Sequence, residues 1–568
     1  MKLFLKKHTL AILLAVSIGI ITGLPQLVAI SSTPGWSGIF PTVNDDEIYY
    51  QARGQEIADG HYFLTNPYLY EYKDASPMQF WLPDFIVAKP LALFDVPVQV
   101  GYIAYDFILP VILALLSYAI IFTLTRSRQA SLVGMIAIHL GLFLSLFNRG
   151  PSPQFIFIIW QLVALLFLRY ELYKKTSSAV LLSLVFGLLF YMYPYYWTYY
   201  VIFFILYLAI RFAFGNRRLK SYLYIFLGSA VISIPYFWAY IQSTSLPYYT
   251  ESVIRLGLLE THFPSGYMIV IPGVLLIALL LLMFWKKPVP RLDPKALFVF
   301  SGVVACVIAV NHHIVTGKNL EFSSHYYPLS MVTFVYAAAY VYTHWSLSLP
   351  ERIRIRIAAL VVLLVVPWSI VEARDVVLRQ IVASDIEIQR QQYVRALKWI
   401  DFNTNADDVF FANQRMSALI PAYTHANVFY AREANLFFLP SNEVAERFIL
   451  NNYWAEYSEE FLRKNERALW GTQYINAYGH IESRNKILRL LGQTEYTNVR
   501  FPQDVMDNMI QRAKDIQATP LLDQLSIYKV DYVVVDNDRD DWNMDDFGNV
   551  SEVFYDKEVT IYKLHKEK

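Results

Sequence analysis

Apolar runs recur through the first two thirds of the chain, each long enough to cross about 30 Å of hydrocarbon as a helix. About eleven spans are predicted on that basis, over roughly 9–30, 101–124, 130–147, 154–170, 178–194, 195–214, 221–241, 267–285, 296–312, 327–345 and 354–373. At Pro194, "FYMYPYYWTYY" reads either as a tight outer turn or as part of one kinked span. Beyond residue 374 the pattern changes. "ASDIEIQRQQYVRALKWIDFNT" spaces its apolar residues as a helix does, and helical stretches such as 441–469 follow. "DDVFFAN" and "KVDYVVVDN" read as buried strands, and "SEVFYDKEVTIYKL" alternates like an edge hairpin. The predicted fold class is therefore mostly α. A polytopic helical membrane bundle, residues 1–374, precedes an external α/β domain, residues 375–568, large enough to hold its own core.

Composition narrows the class. Of 568 residues 56% are hydrophobic, 16% aromatic and only 17% charged, against about 25% charged in soluble domains. A mean hydropathy of +0.34 excludes one water-soluble enzyme. Disorder is excluded too, because it needs low hydrophobicity and high net charge. The net charge of +1 gives no footprint for nucleic acid. The single cysteine, Cys306, excludes a disulfide scaffold and cysteine-based metal sites.

Charge also orients the chain. If the N-terminus is cytoplasmic, one set of loops collects Lys2, Lys6 and Lys7, then Arg126 and Arg128, then basic clusters near 169–175, 211–220, 286–295 and 352–356. The opposite set holds only Arg53, Lys73, Lys89, Arg149, Arg255 and Lys318. The positive-inside rule therefore puts the N-terminus in the cytoplasm, and an odd number of spans puts the tail outside the plasma (cytoplasmic) membrane. The first span is expected to stay, because "LVAISS" is a poor signal-peptide cleavage site.

The candidate chemistry lies in the external loop 31–100, which is long and acidic. In "PTVNDDEIYYQARGQEIADGHYFLTNPY", Asn44 or Asp45 can cap a helix that runs to about Asp59, and Gly60 supplies a left-handed stop. Asp45, Asp46 and Glu47 then crowd one helix N-terminus, where the partial positive charge stabilises carboxylates. Such groups can take a proton from a hydroxyl or hold a divalent cation. The plainer reading of the same residues is a well-capped helix start in a wet loop.

The stretch "DDEIYYQARGQEIADGHYFLTNPYLYEYKDASPMQFWL" resembles the first external loop of GT-C membrane glycosyltransferases, among them lipid A aminoarabinose transferases and protein O-mannosyltransferases. Asp46-Glu47 match the acidic pair, Ala52-Arg53 the middle, Gly60 the helix stop, and Pro77 with Trp81 the end. The many-span layout and the tail ending "VDYVVVD…VFYDKEVTIYKL" extend the likeness. Two departures stand out. Ala75 occupies the position of a lysine that contacts lipid phosphate in those enzymes, with Lys73 the nearest base, and no "W-W-D-Y-G" motif is present. The second argues against an oligosaccharyltransferase that recognises asparagine sequons.

The resemblance implies an enzyme that moves a sugar from a polyprenyl-phosphate donor to an acceptor hydroxyl on a lipid, glycan or protein, with inversion, beside the lipid bilayer and without nucleic acid. It implies Asp46 as base, with Asp45 as the alternative, and the remaining carboxylates, Glu47 among them, as orienting or cation-holding neighbours. It names no certain cofactor; a divalent cation, Mg or Mn, is what these carboxylates could hold.

Several other residues are candidates for substrate contact. Arg149 in "FNRGPSPQ", and Lys318 and His325 in "NHHIVTGKNLEFSSHYYP", suit a phosphate; the alternatives are a headgroup anchor, a solvated charge and a backbone-bonded histidine. His312-His313 lack a third metal ligand. Asp106 is an ionisable group inside a span, a functional hypothesis in itself, with a paired structural role as its alternative. Arg53 can pair with Glu56 or Asp46 or point to solvent. The aromatic run 191–200 reads first as interface belt and second as the lining of a sugar or lipid groove. "DNDRDDWNMDDFG" reads first as a solvated acidic loop and second as an ion site, because Asp541 and Phe547 stand where a calcium loop needs Gly and Glu. Two other functions fit the layout: a flippase or transporter of lipid-linked sugars, and a non-catalytic scaffold.

Overall fold

In hydrocarbon every backbone N–H and C=O must be satisfied within its own segment, so long apolar stretches fold as helices. The computed structural model describes residues 2–42, 45–75, 80–142, 144, 150–214, 220–286, 293–320, 323–346, 349–382 and 384–565. Its first part contains α1 (Lys2–Ser32), α2 (Asp45–Ala58), α3 (Leu82–Leu93), α4 (Val98–Thr125), α5 (Arg128–Ile136), α6 (Pro151–Tyr173), α7 (Thr176–Leu189) and α8 (Pro194–Ala213). It continues with α9 (Lys220–Thr244), α10 (Tyr249–Arg255), α11 (Tyr267–Lys286), α12 (Pro294–Ala309), α13 (His313–Thr316), α14 (Tyr326–Ser346) and α15 (Glu351–Gln380). A short antiparallel ladder, β1 (Leu259–Glu260) with β2 (Lys318–Asn319), joins two loops.

Each predicted span contains helix, but the described residues 190–193 and 310–312, inside two of the predicted spans, are turns rather than helix. Among the described residues seven helices are long and apolar enough to cross a membrane: α1, α4, α6, α8, α9, α11 and α15. α7 and α12 are apolar but shorter, so length and composition alone do not reach the predicted count. The chain is a multi-pass membrane protein. At Pro194 the tight-turn reading holds, because the proline opens α8 at a position where its missing N–H is not needed. α5 passes into a π-helical turn, Ala137–Leu142, which carries the buried His139.

The tail contributes α16 (Asp385–Arg390), α17 (Val394–Asn403), β3 (Val409–Ala412), α18 (Gln414–Tyr423), β4 (Asn427–Val428), α19 (Ser441–Asn451), α20 (Glu459–Lys464) and α21 (Glu466–Trp470). The predicted helical stretch 441–469 is thus three helices. α22 (Gln473–Leu490), α23 (Gln503–Gln517), α24 (Leu521–Leu525), β5 (Tyr532–Asp536), β6 (Val550–Tyr555) and β7 (Val559–Leu564) complete it. The sheet order is β4-β3-β5-β7-β6. β3 runs parallel to β4 and β5, while β7 is antiparallel to β5 and β6. The two predicted central strands and the edge hairpin are all present.

The strand period of two divides the core. Val409, Phe411, Val533 and Val535 face one side, beneath α19, α20, α21, α23 and α24. Phe410, Ala412, Tyr532 and Val534 face the other, beneath α17 and α18. That second core also takes in Ile39, Ile48, Ala52, Tyr68 and Leu69 from the loop 31–100. The loop even extends the sheet edge, since the Val428 N–H donates to the Tyr68 carbonyl at 2.9 Å. Tyr72 with Glu443, and Arg447 with Glu71 at 3.1 Å, add polar ties. The acidic run of the tail is partly structural: Asp536 is buried and accepts from the Tyr393 hydroxyl at 2.5 Å, and Asp540 accepts from Asn413 at 2.9 Å.

Leu419 of α18 is fully buried in this shared core. Leu419→Ala is expected to cost about 3 kcal/mol, read by chemical denaturation in detergent. Because the core is shared, limited proteolysis should then open the loop segment 45–75 and the tail together. Cleavage confined to the tail would contradict a common core.

Candidate active site

α2 is built to carry its acidic end into a confined place. Its apolar positions Ile48 and Ala52 are buried in the tail's core. Its other side sits so close to α4 that a Cβ on Gly54 would fall 2.3 Å from the Tyr102 hydroxyl oxygen. Gly60, at φ 110°, ends the segment as the sequence predicts. Beneath its first turn lies a cavity of about 170 Å³. Glu47 and Gln51, one turn apart on α2, reach it together with Gln99, Tyr102 and Asp106 on one face of α4. The ends of two spanning helices complete the walls, with Gln26 from α1 and Arg379 from α15, and Glu387 of α16 follows. Glu47 is buried, at 8% exposure.

The predicted site residues separate into groups. Glu47 and Asp106 come together in the cavity wall, where the Gln154 side-chain amide donates to Asp106 at 2.8 Å. Asp46 is exposed on the same turn and does not belong to that lining. Asp45 is the first residue of α2, and its side chain lies outside the described residues, as do Arg149 and Pro77. Gly150, the neighbour of Arg149, lines the cavity. Lys318 is exposed on β2. His325 stands between the rings of Tyr193 and Tyr195, with the Tyr193 hydroxyl 3.2 Å from its Nε2. His312 and His313 meet Thr316 at 3.1 Å and the Phe263 carbonyl at 2.8 Å. Among the described residues no three His, Cys, Asp or Glu side chains converge as metal ligands.

Arg53 and Lys73 are engaged inside the protein. Arg53 is fully buried and pairs with Asp84 at 2.5 Å, while Ser152 of α6 donates to the other Asp84 oxygen at 2.9 Å. The guanidinium also donates to the Tyr49 hydroxyl at 2.6 Å. Burial opposes its charge, but Asp84 and then Tyr49 outweigh that and raise its pKa. The pair ties α2, α3 and α6. Lys73 pairs with Glu56, which is 3% exposed. Burial alone would raise the Glu56 carboxyl, yet the Lys73 ammonium, with His61, brings it below the usual carboxylate range.

Sequence reasoning missed Gln51, Gln99, Arg379 and Glu387. The spacing of Gln99, Tyr102 and Asp106 on one helix face was a legible signal. Arg379 was not, because it reaches the cavity from a helix more than three hundred residues away in sequence.

With fold and site in view, the class is a multi-span helical membrane protein whose acidic helix α2 closes a cavity at the ends of its spans. No family model matches the chain, and no curated protein matches it. Solved structures similar to it include an oligosaccharyltransferase from Archaeoglobus fulgidus in the apo form, at 13% identity and TM-score 0.48, covering 93% of this chain and 69% of that one. The complex of that enzyme with Zn and sulfate gives 14% identity and TM-score 0.48, over 93% and 68%. The archaeal oligosaccharyltransferase AglB from Archaeoglobus fulgidus, in complex with an inhibitory peptide and a dolichol-phosphate, gives 12% identity and TM-score 0.49, over 94% and 70%.

Lys73→Met leaves Glu56 buried without its cation and is expected to destabilise the protein by about 3 kcal/mol at neutral pH. A carboxyl with a depressed pKa contributes stability that is present above its unfolded value and lost as pH falls through the folded one. The penalty should therefore shrink as Glu56 becomes protonated, read as thermal midpoints of both proteins across pH 3–7. A penalty independent of pH would contradict the pairing.

Proposed function

We propose that the chain is an integral membrane glycosyltransferase that moves a sugar from a polyprenyl-phosphate donor to an acceptor hydroxyl on the outer face of the plasma membrane. The observation that carries this reading is the meeting of Glu47, Asp106 and Arg379 in one cavity at the ends of α1, α4 and α15. The resemblance of the α2 segment to GT-C external loops points the same way. A lipid-linked donor reaches such a place along the spans, and the acceptor reaches it from the external side.

In this reaction the acceptor oxygen attacks the anomeric carbon and loses its proton to a carboxylate as the new C–O bond forms. The bond from the anomeric carbon to the phosphate oxygen breaks on the opposite face, with inversion, and its electron pair leaves with the lipid phosphate. That leaving group is a stable anion and needs cationic stabilisation rather than a strong acid. Arg379 supplies the guanidinium, whose fork suits a phosphate. Glu47 is the base, being the α2 carboxylate that lines the cavity. Exposed Asp46, the residue singled out by the resemblance, keeps the acceptor side of the turn negative. Asp106 holds the far wall, and the missing "W-W-D-Y-G" motif fits a hydroxyl acceptor rather than an asparagine sequon.

Purified protein with a radiolabelled polyprenyl-phosphate sugar and cell-envelope acceptors should show transfer. Glu47→Gln should lose about a hundredfold or more, as for removal of a general base, and Asp46→Asn should lose less. The reverse order would return the base to Asp46, and full activity in both variants would overturn the mechanism. The orientation is tested with a cysteine at Lys557, whose side chain is 90% exposed; native Cys306 is buried. A membrane-impermeant thiol reagent should label that cysteine in intact cells, and labelling only after lysis would reverse the orientation.

A further inference from the structure

A second cavity, of about 370 Å³, lies beside the first and takes its walls from five parts of the chain. The start of α8 gives Tyr193, Tyr195 and Trp197, and the end of α9 gives Tyr236 and Tyr240. Loop residues Thr65, Asn66 and Tyr72, the α10 region with Tyr248 and Tyr249, and the tail's Phe437 and Phe438 close it. Its size suits a small-molecule site. α2 separates the two cavities: Glu47 lines the first, and the Tyr49 ring packs on Phe437 of the second, 6.1 Å between centroids.

The wall from the tail is held in place. Arg255 is buried, at 2% exposure, and donates to the carbonyls of Asn435, Phe437 and Leu439 at 3.2, 3.2 and 2.9 Å, and to Ser441 at 2.9 Å. A guanidinium spread over backbone carbonyls clasps α10 to the segment that presents Phe437 and Phe438. The site is therefore built jointly by the membrane bundle and the tail.

The lining identifies the ligand by its chemistry. Among the described residues it holds no charged side chain. A phosphate, a carboxylate or an ammonium group would enter without a counter-charge, at a desolvation cost. Seven tyrosines contribute to the wall, and each phenol can both donate and accept. A hydrocarbon chain would cover those hydroxyls and give nothing back. A pyranose matches both features: its C–H face lies flat on rigid aromatic rings, and its hydroxyls trade hydrogen bonds with the phenols at the rim. Loop and tail walls close the cavity on the side away from α8 and α9.

We propose that this aromatic cavity binds an uncharged glycan, which serves as the acceptor strand of the transfer. The acceptor role rests on the glycosyl-transfer reading; the binding does not. The test uses the full-length protein in its native membrane, with photoreactive p-benzoylphenylalanine replacing Trp197 in one variant and Tyr249 in another. A control carries it at Trp238, which is 64% exposed on the apolar face of α9. After irradiation, the adducts at Trp197 and Tyr249 are expected to carry carbohydrate, seen as mass added to the cross-linked peptide and cleaved by periodate at vicinal diols. Adducts of isoprenoid or acyl chains alone at those positions, or no glycan adduct there while the Trp238 control captures lipid, would overturn the proposal. The same adducts are expected in the Glu47→Gln background. If they form but Glu47→Gln leaves transfer intact, the base assignment fails and the glycan site stands.

Discussion

The structure depends on how α2 is held between two environments. One side of this short helix gives Ile48 and Ala52 to the core under the tail's sheet, and the other lies against α4 at Gly54. Burying such side chains contributes roughly 1.5–3 kcal/mol for each large one, so the helix cannot swing away without exposing both contacts. The Arg53–Asp84 pair fixes its rotation. Neither group can leave without stranding a buried charge, which costs about 3–5 kcal/mol. With position and rotation set, the first turn has one place to put Glu47: the cavity shared with Asp106 and Arg379.

Cations are scarce around this site, and most are committed to architecture. Arg53 neutralises Asp84, Lys73 neutralises Glu56, and Arg255 is consumed by backbone carbonyls. Each holds a segment between spans in register with the bundle or the tail. Among the described residues, Arg379 is the basic residue in the lining of the carboxylate cavity, its Nε donating to the Asp375 carbonyl at 3.1 Å, and Arg390 donates to the lining residue Thr42 at 3.2 Å. Charge and shape thus divide the labour between two neighbouring spaces, one polar and ionisable, the other neutral and aromatic.

Much of this was legible in the sequence, and the reasons are physical. Apolar runs must become helices in hydrocarbon, so α4, α6 and α11 announce themselves. Continuous apolar runs bounded by turn residues gave β3 and β5, and alternation gave the β6–β7 hairpin. The crowded acidic start of α2 and its stop at Gly60 followed from capping chemistry. Partnerships across long sequence separations were hidden. Arg53 carries no local mark that its partner is Asp84, and Arg379 sits in an ordinary span end. The tail reads as a domain with its own core, whereas Ile39, Tyr68 and Leu69 complete that core from the loop 31–100. The tyrosines near 191–200 read first as interface belt, because composition alone cannot say whether a ring faces headgroups or a cavity.

The most direct measurement is a cryo-electron microscopy structure of the full chain in lipid nanodiscs with a non-transferable polyprenyl-phosphate sugar bound. The expected result is phosphate density beside Arg379, with the anomeric carbon facing the Glu47 carboxylate across the cavity. Phosphate density elsewhere on the bundle, with Glu47 and Asp106 facing only water, would contradict the central claim.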